Sequence, residues 1–204
     1  MAISDPAHRV FPPSAREQQV RRGSRQLYAG RDRPGGFPIE VDDRLRAFLA
    51  RSDSFFIASA TADAKPYIQH RGGPKGFLMA LDDRTLGFAD FAGNRQYITI
   101  GRLAENDAVC VFLIDYARRA RIKLWGRARY VEDDPALLAR LSVAGYKAKV
   151  ERAILIDVEV WDINCPQHIP QKFAADEVAA ALASLHARMA ELEAENTRLK
   201  ENAR

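Results

Sequence analysis

Between residues 54 and 161 the chain is a succession of short runs rich in β-branched and aromatic residues, separated by turn residues, and this constrains the fold most. The predicted strands are Ser54–Thr61, Pro66–Arg71, Phe77–Leu81, Thr85–Asp90, Ala108–Asp115, Arg121–Val131 and Ala153–Trp161. The continuous apolar run of Ala108–Asp115 predicts a strand buried on both faces, with Cys110 in the core. The alternation in Arg121–Val131 predicts a half-exposed antiparallel strand with a basic outer face.

Helices are predicted only at the periphery of these strands. Asp42 and Asp43 can cap a helix over residues 44–51, helical spacing returns over 94–104, and Asp134-Pro135 begins a helix over 136–149. Strands and helices do not alternate in a βαβ rhythm. We therefore predict a mainly β (α+β) fold, a small antiparallel barrel with helices packed outside it.

The C-terminal segment, residues 173–204, is predicted to form one long helix over about 176–202 with a heptad seam. Its seam positions are separated alternately by four and three residues: Val178, Leu182, Leu185, Met189, Leu192, Asn196 and Leu199. With Leu182 at position a, Asn196 also falls at a, where asparagine favours a parallel two-stranded register. The alternative interpretation is a surface helix packed on its own domain.

The first forty residues are predicted to be a basic N-terminal arm, and residues 41–172 to be the barrel domain. With 31 basic and 27 acidic residues and a net charge of +4, the whole chain favours an anionic partner of either kind, a polymer or a small phosphate. No window is apolar enough for a membrane span or a secretory signal, and two cysteines cannot form a disulfide framework. We expect a cytoplasmic protein, with Cys165 as a buried inert thiol in preference to a redox-active one.

Motifs of common enzymes are absent from the sequence, which lacks GxSxG, Walker, HExxH and GxGxxG patterns, so we assign no catalytic residue and no metal ligand. Two connections instead combine glycines with cations. One carries Arg71 and Lys75. The other, residues 90–96, joins a strand to a predicted helix, where free backbone N–H groups and Arg95 would form a phosphate cradle.

These connections belong to three sequence blocks that resemble the pyridoxamine 5'-phosphate oxidase-related FMN-binding split-barrel family, an uncharacterised branch in particular. The blocks are RGGPKGFLMALDDRTLGFADFAGNRQYITIGRL, RARIKLWGRARYVE and NCPQHIP. The resemblance spans residues 40–172 and implies a homodimeric split β-barrel with FMN at the subunit interface. The cofactor-binding positions that it implies are Arg71, Lys75, Ala89, Asp90, Asn94, Arg95, Gln96, Arg121 and Trp161. Gln167, with Asn164 and His168, is expected on the substrate side.

Departures from the family pattern limit what the resemblance implies. Gln96 stands where the oxidases have a lysine, the helix ALLARLSVAGYKAK lacks their substrate-phosphate residues, and their C-terminal Arg-x-His motif is missing. FMN binding is therefore expected, and oxidation of pyridoxamine phosphate is not. Flavin chemistry requires mainly that cations or N–H donors lie near the ring where negative charge gathers, and Arg71, Lys75 and Arg121 are of that type.

Three functional hypotheses follow. The favoured one is an FMN-dependent oxidoreductase that transfers a hydride or electrons between reduced FMN and a small substrate or oxygen. The second is a non-catalytic flavin module, or a haem module with His70 or His168 as ligand. The third is a nucleic-acid-binding barrel that uses the arginine-rich N-terminal arm and the basic face Arg118, Arg119, Arg121, Lys123, Arg127 and Arg129. This hypothesis is disfavoured because the chain lacks the interleaved aromatic residues of single-strand binders.

Overall fold

The computed structural model describes residues 5–164 and 166–202, without the side chain of Asn164. Cys165 therefore lies outside the described residues, as does the Asn164 side chain that was expected near a substrate. The chain divides into two compact units: one contains residues up to 114 together with 121–165, and the other contains 115–120 and the residues from 166 onward.

Seven strands and six α-helices are described. The strands are β1 (Ser54–Ala60), β2 (Pro66–Gly72), β3 (Met79–Ala80), β4 (Thr85–Phe91), β5 (Ala108–Asp115), β6 (Ala120–Val131) and β7 (Val150–Asn164). The helices are α1 (Pro6–Val10), α2 (Pro13–Arg21), α3 (Asp43–Arg51), α4 (Ile98–Glu105), α5 (Pro135–Leu141) and α6 (Ala175–Asn202), with a 3-10 helix over Arg25–Asp32.

The strands form one seven-stranded sheet in the order β2-β1-β5-β6-β7-β4-β3, which leaves β2 and β3 as edges. The sheet nevertheless curls on itself. Phe55 on β1 packs edge-on against Phe88 on β4 with ring centroids 5.1 Å apart, although three strands separate β1 from β4 in the sheet order. The predicted α+β split barrel is confirmed, and it is open rather than closed by hydrogen bonds.

Helix α3 begins as the sequence predicts. The Asp42 carboxylate accepts a hydrogen bond from the Leu45 amide at 3.0 Å, which satisfies one of the free N–H groups of the first turn. Leu45, Phe48 and Leu49 are all buried, so one face of the helix packs on the core. In the chain, this capped helix comes directly after the N-terminal segment and before the first strand of the barrel.

Strand β5 corrects one prediction. Its side chains alternate between buried and half-buried, because Val109, Val111 and Leu113 face the core while the opposite face stays partly open. Cys110 lies on that second face and is half-buried rather than in the core. Burial still raises the pKa of its thiol above the ordinary value, so the thiol is a weak nucleophile.

Two predicted helices are shorter than expected. Helix α4 begins at Ile98 because Arg95 and Tyr97 adopt positive φ angles of 58° and 52°, which helical backbone does not allow. Helix α5 ends at Leu141, where the amide and hydroxyl of Ser142 both donate to the Leu138 carbonyl.

The N-terminal segment contributes to the core of the first unit. Ala7 and Phe37 are only 3% and 4% exposed, and they form a cluster with Val160 of β7. Arg9 makes an ion pair with Glu159 on the same strand. Residues that were expected to form an arm therefore pack on the sheet, because apolar side chains are interspersed among the arginines.

The second unit holds the long helix α6 and the segment before it. Arg119 Nε donates to the Ile169 carbonyl at 3.1 Å, and Gln171 Nε2 donates to the Ala117 carbonyl at 2.8 Å. Lys172 lies 4.6 Å from the centre of the Tyr116 ring. In the part of the chain that the structure describes, no helix combines the length and the apolarity that crossing a bilayer requires.

Candidate functional site

A cavity of about 240 Å³ lies in the first unit where β2, β4, the start of α4 and the start of β7 meet. Its lining is mostly polar. The residues that form it are Tyr67, Gln69, Arg71, Asp90, Phe91, Gly93, Asn94, Arg95, Gln96, Tyr97, Ile98, Thr99, Ile100 and Glu151.

The wall of the cavity contains a buried ion pair between Arg71 and Asp90. Arg71 Nη1 donates to Asp90 Oδ1 at 2.5 Å, and the two side chains are 16% and 8% exposed. These residues lie on β2 and β4, which four other strands separate in the sheet order, so curling of the sheet brings them together. Arg152 Nη1 lies 4.0 Å from the other Asp90 oxygen, because Asp90 and Arg152 are paired in the β4–β7 register.

Burial dominates the electrostatics of Asp90. Removal from water raises the pKa of its carboxyl, the positive charges of Arg71 and Arg152 oppose the rise, and the negative charge of Glu151 adds to it. The net pKa is above the ordinary value. The two arginines therefore stabilise the carboxylate only in part, and Asp90 chiefly fixes the position of the Arg71 guanidinium.

Arg152 is a residue that the sequence analysis missed. It is 8% exposed, and its guanidinium contacts Glu132 and Glu151 at 3.2 Å each. The same group lies 5.2 Å from the centre of the Tyr97 ring, so it ties β7 to the loop before α4. The signal in the sequence is the polar pair Glu151-Arg152 directly before an apolar run, which the predicted strand starting at Ala153 left outside.

The rim of the cavity is the loop 93–97 and the first turn of α4. No side chain in the described part of the chain caps this helix, so the amide groups of its first turn are free to donate. Arg95 is exposed, and among the described residues it has no ion-pair partner. Thr99 donates to Gln69 Oε1 at 2.6 Å, which holds the first turn of α4 against β2. The free guanidinium, the free amides and the helix dipole together favour an anion here.

Arg71 supplies a second donor toward a ligand. Its Nε atom is buried and has no hydrogen-bond partner among the described residues, although the side chain is otherwise held by Asp90. A buried donor without a partner costs free energy, and a bound acceptor would remove that cost. The lining thus fits a molecule with one anionic end and one hydrogen-bonding end.

Five of the sequence-predicted site residues line this cavity: Arg71, Asp90, Asn94, Arg95 and Gln96. The other five do not line it. Lys75 is exposed in the turn after β2. Ala89 is 2% exposed and packs in an apolar cluster with Leu141, Ala153 and Leu155. Arg121 is half-buried, with its Nε buried and lacking a hydrogen-bond partner among the described residues.

Trp161 and Gln167 complete the set. Trp161 is 1% exposed, and its indole N–H donates to the Glu40 carbonyl at 2.7 Å. Its backbone amide donates to the Pro38 carbonyl at 3.0 Å, so this tryptophan fastens the N-terminal segment to β7 rather than facing a cavity. Gln167 belongs to the second unit and is exposed there.

Three of the six cations in the basic face of the nucleic-acid hypothesis already pair with carboxylates. Arg127 pairs with Asp107 at 2.5 Å and Glu159 at 3.2 Å, and Arg129 pairs with Asp157 at 2.5 Å. Arg118 lies 3.4 Å from a carboxylate oxygen in its own turn. Cations that already have carboxylate partners bind phosphates less readily, which weighs against a polymer on this face.

Solved structures similar to this chain include HupZ from Group A Streptococcus, a protein related to general stress protein 26 from Clostridium acetobutylicum, and an FMN-binding protein from Syntrophomonas wolfei subsp. wolfei. Their identities to this chain are 13%, 16% and 14%, and their TM-scores are 0.49, 0.45 and 0.46. The matches cover 65%, 65% and 74% of this chain and 98%, 92% and 95% of those chains. Likenesses this distant say nothing about its ligand or activity.

The family of the chain is evident from its sequence. No curated protein matches the chain. The family model described as pyridoxamine 5'-phosphate oxidase matches residues 41–168, which is more than half of the 204 residues. This stretch contains every strand of the curled sheet and the loop that forms the rim of the cavity. The chain therefore belongs to the pyridoxamine 5'-phosphate oxidase family.

Proposed function

We propose that this protein is an FMN-binding flavoprotein and an oxidoreductase, with the FMN phosphate at the rim of the cavity. The observation that carries the proposal is the free guanidinium of Arg95 beside the uncapped first turn of α4. Membership of the family supports the choice of FMN among phosphorylated ligands. The substrate is a small molecule or oxygen.

The phosphate end requires no rearrangement of existing ion pairs. Arg95 has none to break among the described residues, and the first-turn amides of α4 have no side-chain competitor. Asn94 and Gln96 supply amide N–H donors beside Arg95. A charge-assisted hydrogen bond to phosphate from such a group contributes about 1.5–3 kcal/mol.

Another part of the cavity wall is organised around Arg71. Asp90 holds its guanidinium at 2.5 Å and so fixes its orientation, and the buried Nε has no hydrogen-bond partner among the described residues. Bound FMN would supply hydride or electron transfer, chemistry in which the protein contributes mainly orientation and charge. The contribution of this chain is a guanidinium held in a fixed position in a partly desolvated wall.

A second subunit is part of the proposal. The cavity of about 240 Å³ is smaller than the roughly 300–1,000 Å³ of typical small-molecule sites, so one chain encloses only part of the cofactor. The open face of β1 and β5 carries half-buried Phe56 and Phe112, and Ile68 on the edge strand is 61% exposed. We propose that this face meets its copy in a homodimer. Lys75, Ala89, Arg121 and Gln167 stay predicted contacts of the completed site.

The first test is the absorption spectrum and the mass of any ligand that co-purifies with the protein. We expect flavin bands and the mass of FMN. A colourless protein that also takes up no added FMN would contradict the proposal.

The second test is Arg95→Ala, compared with Arg198→Ala as a matched control, because Arg198 is an exposed arginine on α6 outside the cavity. Loss of the guanidinium should raise the Kd for FMN by roughly ten- to a hundredfold, the equivalent of about 1.5–3 kcal/mol. The control should leave the Kd unchanged. Equal Kd values for the two variants would remove Arg95 from the phosphate site.

Turnover separates an enzyme from a flavin carrier. With NADH or NADPH as reductant and oxygen or a panel of small acceptors, an oxidoreductase consumes the reductant in many equivalents per flavin. Consumption that stops after one equivalent would identify a carrier or sensor and would overturn the enzymatic half of the proposal.

A further inference from the structure

Helix α6 presents an unusually regular apolar seam. It runs over 28 residues, about 42 Å at 1.5 Å per residue. The six apolar seam side chains are 43–59% exposed: Val178, Leu182, Leu185, Met189, Leu192 and Leu199. Large apolar side chains that line up on one side of a helix and stay exposed indicate a surface that another helix covers.

The spacing of the seam identifies what covers it. Steps of four and three residues repeat every seven, and a period of 3.5 matches a second helix of the same kind supercoiled around the first. A helix that packs on its own domain instead shows a broader apolar stripe with a period of 3.6. Alanines and charged residues occupy the positions beside the seam, which keeps it narrow.

Asn196 sets the orientation of the pair. It occupies an a position, where two asparagines from parallel, in-register helices can bond to each other across the seam. In an antiparallel pair, or in a pair shifted by one heptad, each asparagine would face an apolar side chain and leave a buried amide without a partner. The parallel in-register pair is therefore the arrangement that satisfies both amides.

The charges that flank the seam agree with this orientation. In a parallel pair, a g position of one helix faces the e position five residues further on in the other. Arg188 at g would face Glu193, and Glu195 at g would face Lys200. Within one chain Arg188 contacts Glu191 at 2.7 Å, an exposed pair one turn away that stabilises the helix only weakly. Both of these inter-helix pairs are attractive.

From the seam, the asparagine and the charges, we propose that α6 forms a parallel, in-register two-stranded coiled coil with α6 of a second copy of this chain. The proposal does not depend on FMN binding. The surface concerned lies outside the cavity, and its partner is the same helix of a second chain. The two chains are joined through their C-terminal helices.

Disulfide cross-linking of the full-length chain tests the proposal. In a chain whose Cys110 and Cys165 are replaced by alanine, one variant carries Leu192→Cys at a d position and the matched variant carries Ala194→Cys at an outward f position. Identical d positions face each other across a parallel pair, so Leu192→Cys should form the covalent dimer at least about tenfold faster under mild oxidation. Far-UV circular dichroism confirms that both variants are folded.

The two outcomes are unambiguous. Fast cross-linking at residue 192 and slow cross-linking at residue 194 support the parallel pair. Equal rates at both positions, or none at either, overturn it, whether α6 packs on its own domain, pairs antiparallel or binds another protein. FMN retention measured on the same samples reports separately on the cavity, so failure of one proposal is not mistaken for failure of the other.

Charge reversal in the Leu192→Cys chain tests the orientation independently. Arg188→Glu places two acidic side chains opposite each other and should slow cross-linking severalfold. Adding Glu193→Arg should restore the rate, because the reversed pair is attractive again in a parallel coil. The second change cannot restore the contact with Glu191 within one helix, so rescue arises only between chains. Absence of rescue would contradict the parallel register.

Discussion

The two ends of strand β7 have opposite characters. At its start, Glu151 and Arg152 bring charges to the cavity, and Arg152 contacts Asp90, Glu132 and Tyr97. At its end, Trp161 is fully buried and fastens the N-terminal segment through the carbonyls of Pro38 and Glu40. Eight residues of extended strand lie between Arg152 and Trp161, which puts the two environments about 30 Å apart.

The stretch between the ends explains how one strand serves both. Residues 153–156 are almost completely buried, and they pair in a continuous register with β4. This register sets Asp90 opposite Arg152. The end of β7 that carries Trp161 therefore stabilises the fold. The buried middle of the strand holds the charged end rigidly, so the side chain of Arg152 is placed precisely at the cavity. Substitutions at the two ends should accordingly separate stability from cofactor binding.

Trp161→Ala should have the largest effect on stability. Removing a fully buried tryptophan leaves a cavity in the packing, and such changes typically cost about 3–5 kcal/mol, a large fraction of the roughly 5–15 kcal/mol that stabilises a domain. Chemical denaturation at fixed protein concentration measures the loss. Trp161→Phe, which keeps most of the volume but loses the hydrogen bond to Glu40, should cost only about 1–2 kcal/mol.

The same variants test the assignment of Trp161 to packing. Trp161→Phe, where the chain stays folded, should bind FMN with an unchanged Kd. A tenfold higher Kd for FMN in folded protein would instead place the indole against the flavin, as the family resemblance implies. Both ends of β7 would then contribute to cofactor binding.

Asp90→Asn should have an intermediate effect that depends on pH. Burial raises the folded-state pKa of the Asp90 carboxyl above its ordinary value of 3.8. A group of this kind stabilises the fold most fully when protonated, at pH values below its unfolded pKa, and that stabilisation is lost as pH rises through the folded pKa. The wild type should therefore lose stability relative to the variant as pH increases from about 4.

Unfolding free energies of both proteins across this range measure the difference. A difference that is constant with pH would mean that Arg71 and Arg152 fully compensate the buried charge. A difference of the opposite sign would mean that the two arginines outweigh burial, so that the site holds an ordinary strong ion pair.

Features of the sequence that act locally were predictable. Alternation and turn residues identified the strands, and glycine and charge after a strand identified the loop that carries Arg95. The cap at Asp42 and the buried face of α3 follow from residues a few positions apart. Such signals need no knowledge of the tertiary structure, because the interacting groups are neighbours in the chain.

Features that depend on contacts between residues far apart in the chain were not predictable from the sequence. Arg152 reaches Asp90 only through the β4–β7 register, and Arg71 reaches Asp90 only because the sheet curls. The role of Trp161 depends on a carbonyl 121 residues earlier in the chain. Likewise, the late start of α4 reflects two left-handed residues that the helical spacing over 94–104 does not reveal. The sequence therefore predicted the loop of the candidate site. It did not predict which strands complete the cavity, because local patterns do not reveal which strands lie together.

The smallest expected effect concerns the backbone of the rim. Arg95 has a φ of 58°, a conformation that costs a non-glycine residue about 1–2 kcal/mol, and its side chain makes no ion pair among the described residues to offset that cost. Strain of this kind persists at functional sites when a ligand benefits from it. Arg95→Gly should remove the strain, and the greater freedom of glycine in the unfolded chain should offset about 0.5–1 kcal/mol of the gain.

Arg95→Ala is the matched comparison, because alanine also lacks the guanidinium but keeps the strained φ. Both variants should lose FMN affinity to the same extent, while the glycine variant should be the more stable by up to about 1 kcal/mol in chemical denaturation. Together these results would mean that the chain holds Arg95 in an unfavourable backbone conformation to place its charge at the anion site. If the alanine variant were equally stable, the left-handed conformation would carry no cost, and the rim would differ from the end of β7 that carries Trp161 in charge alone.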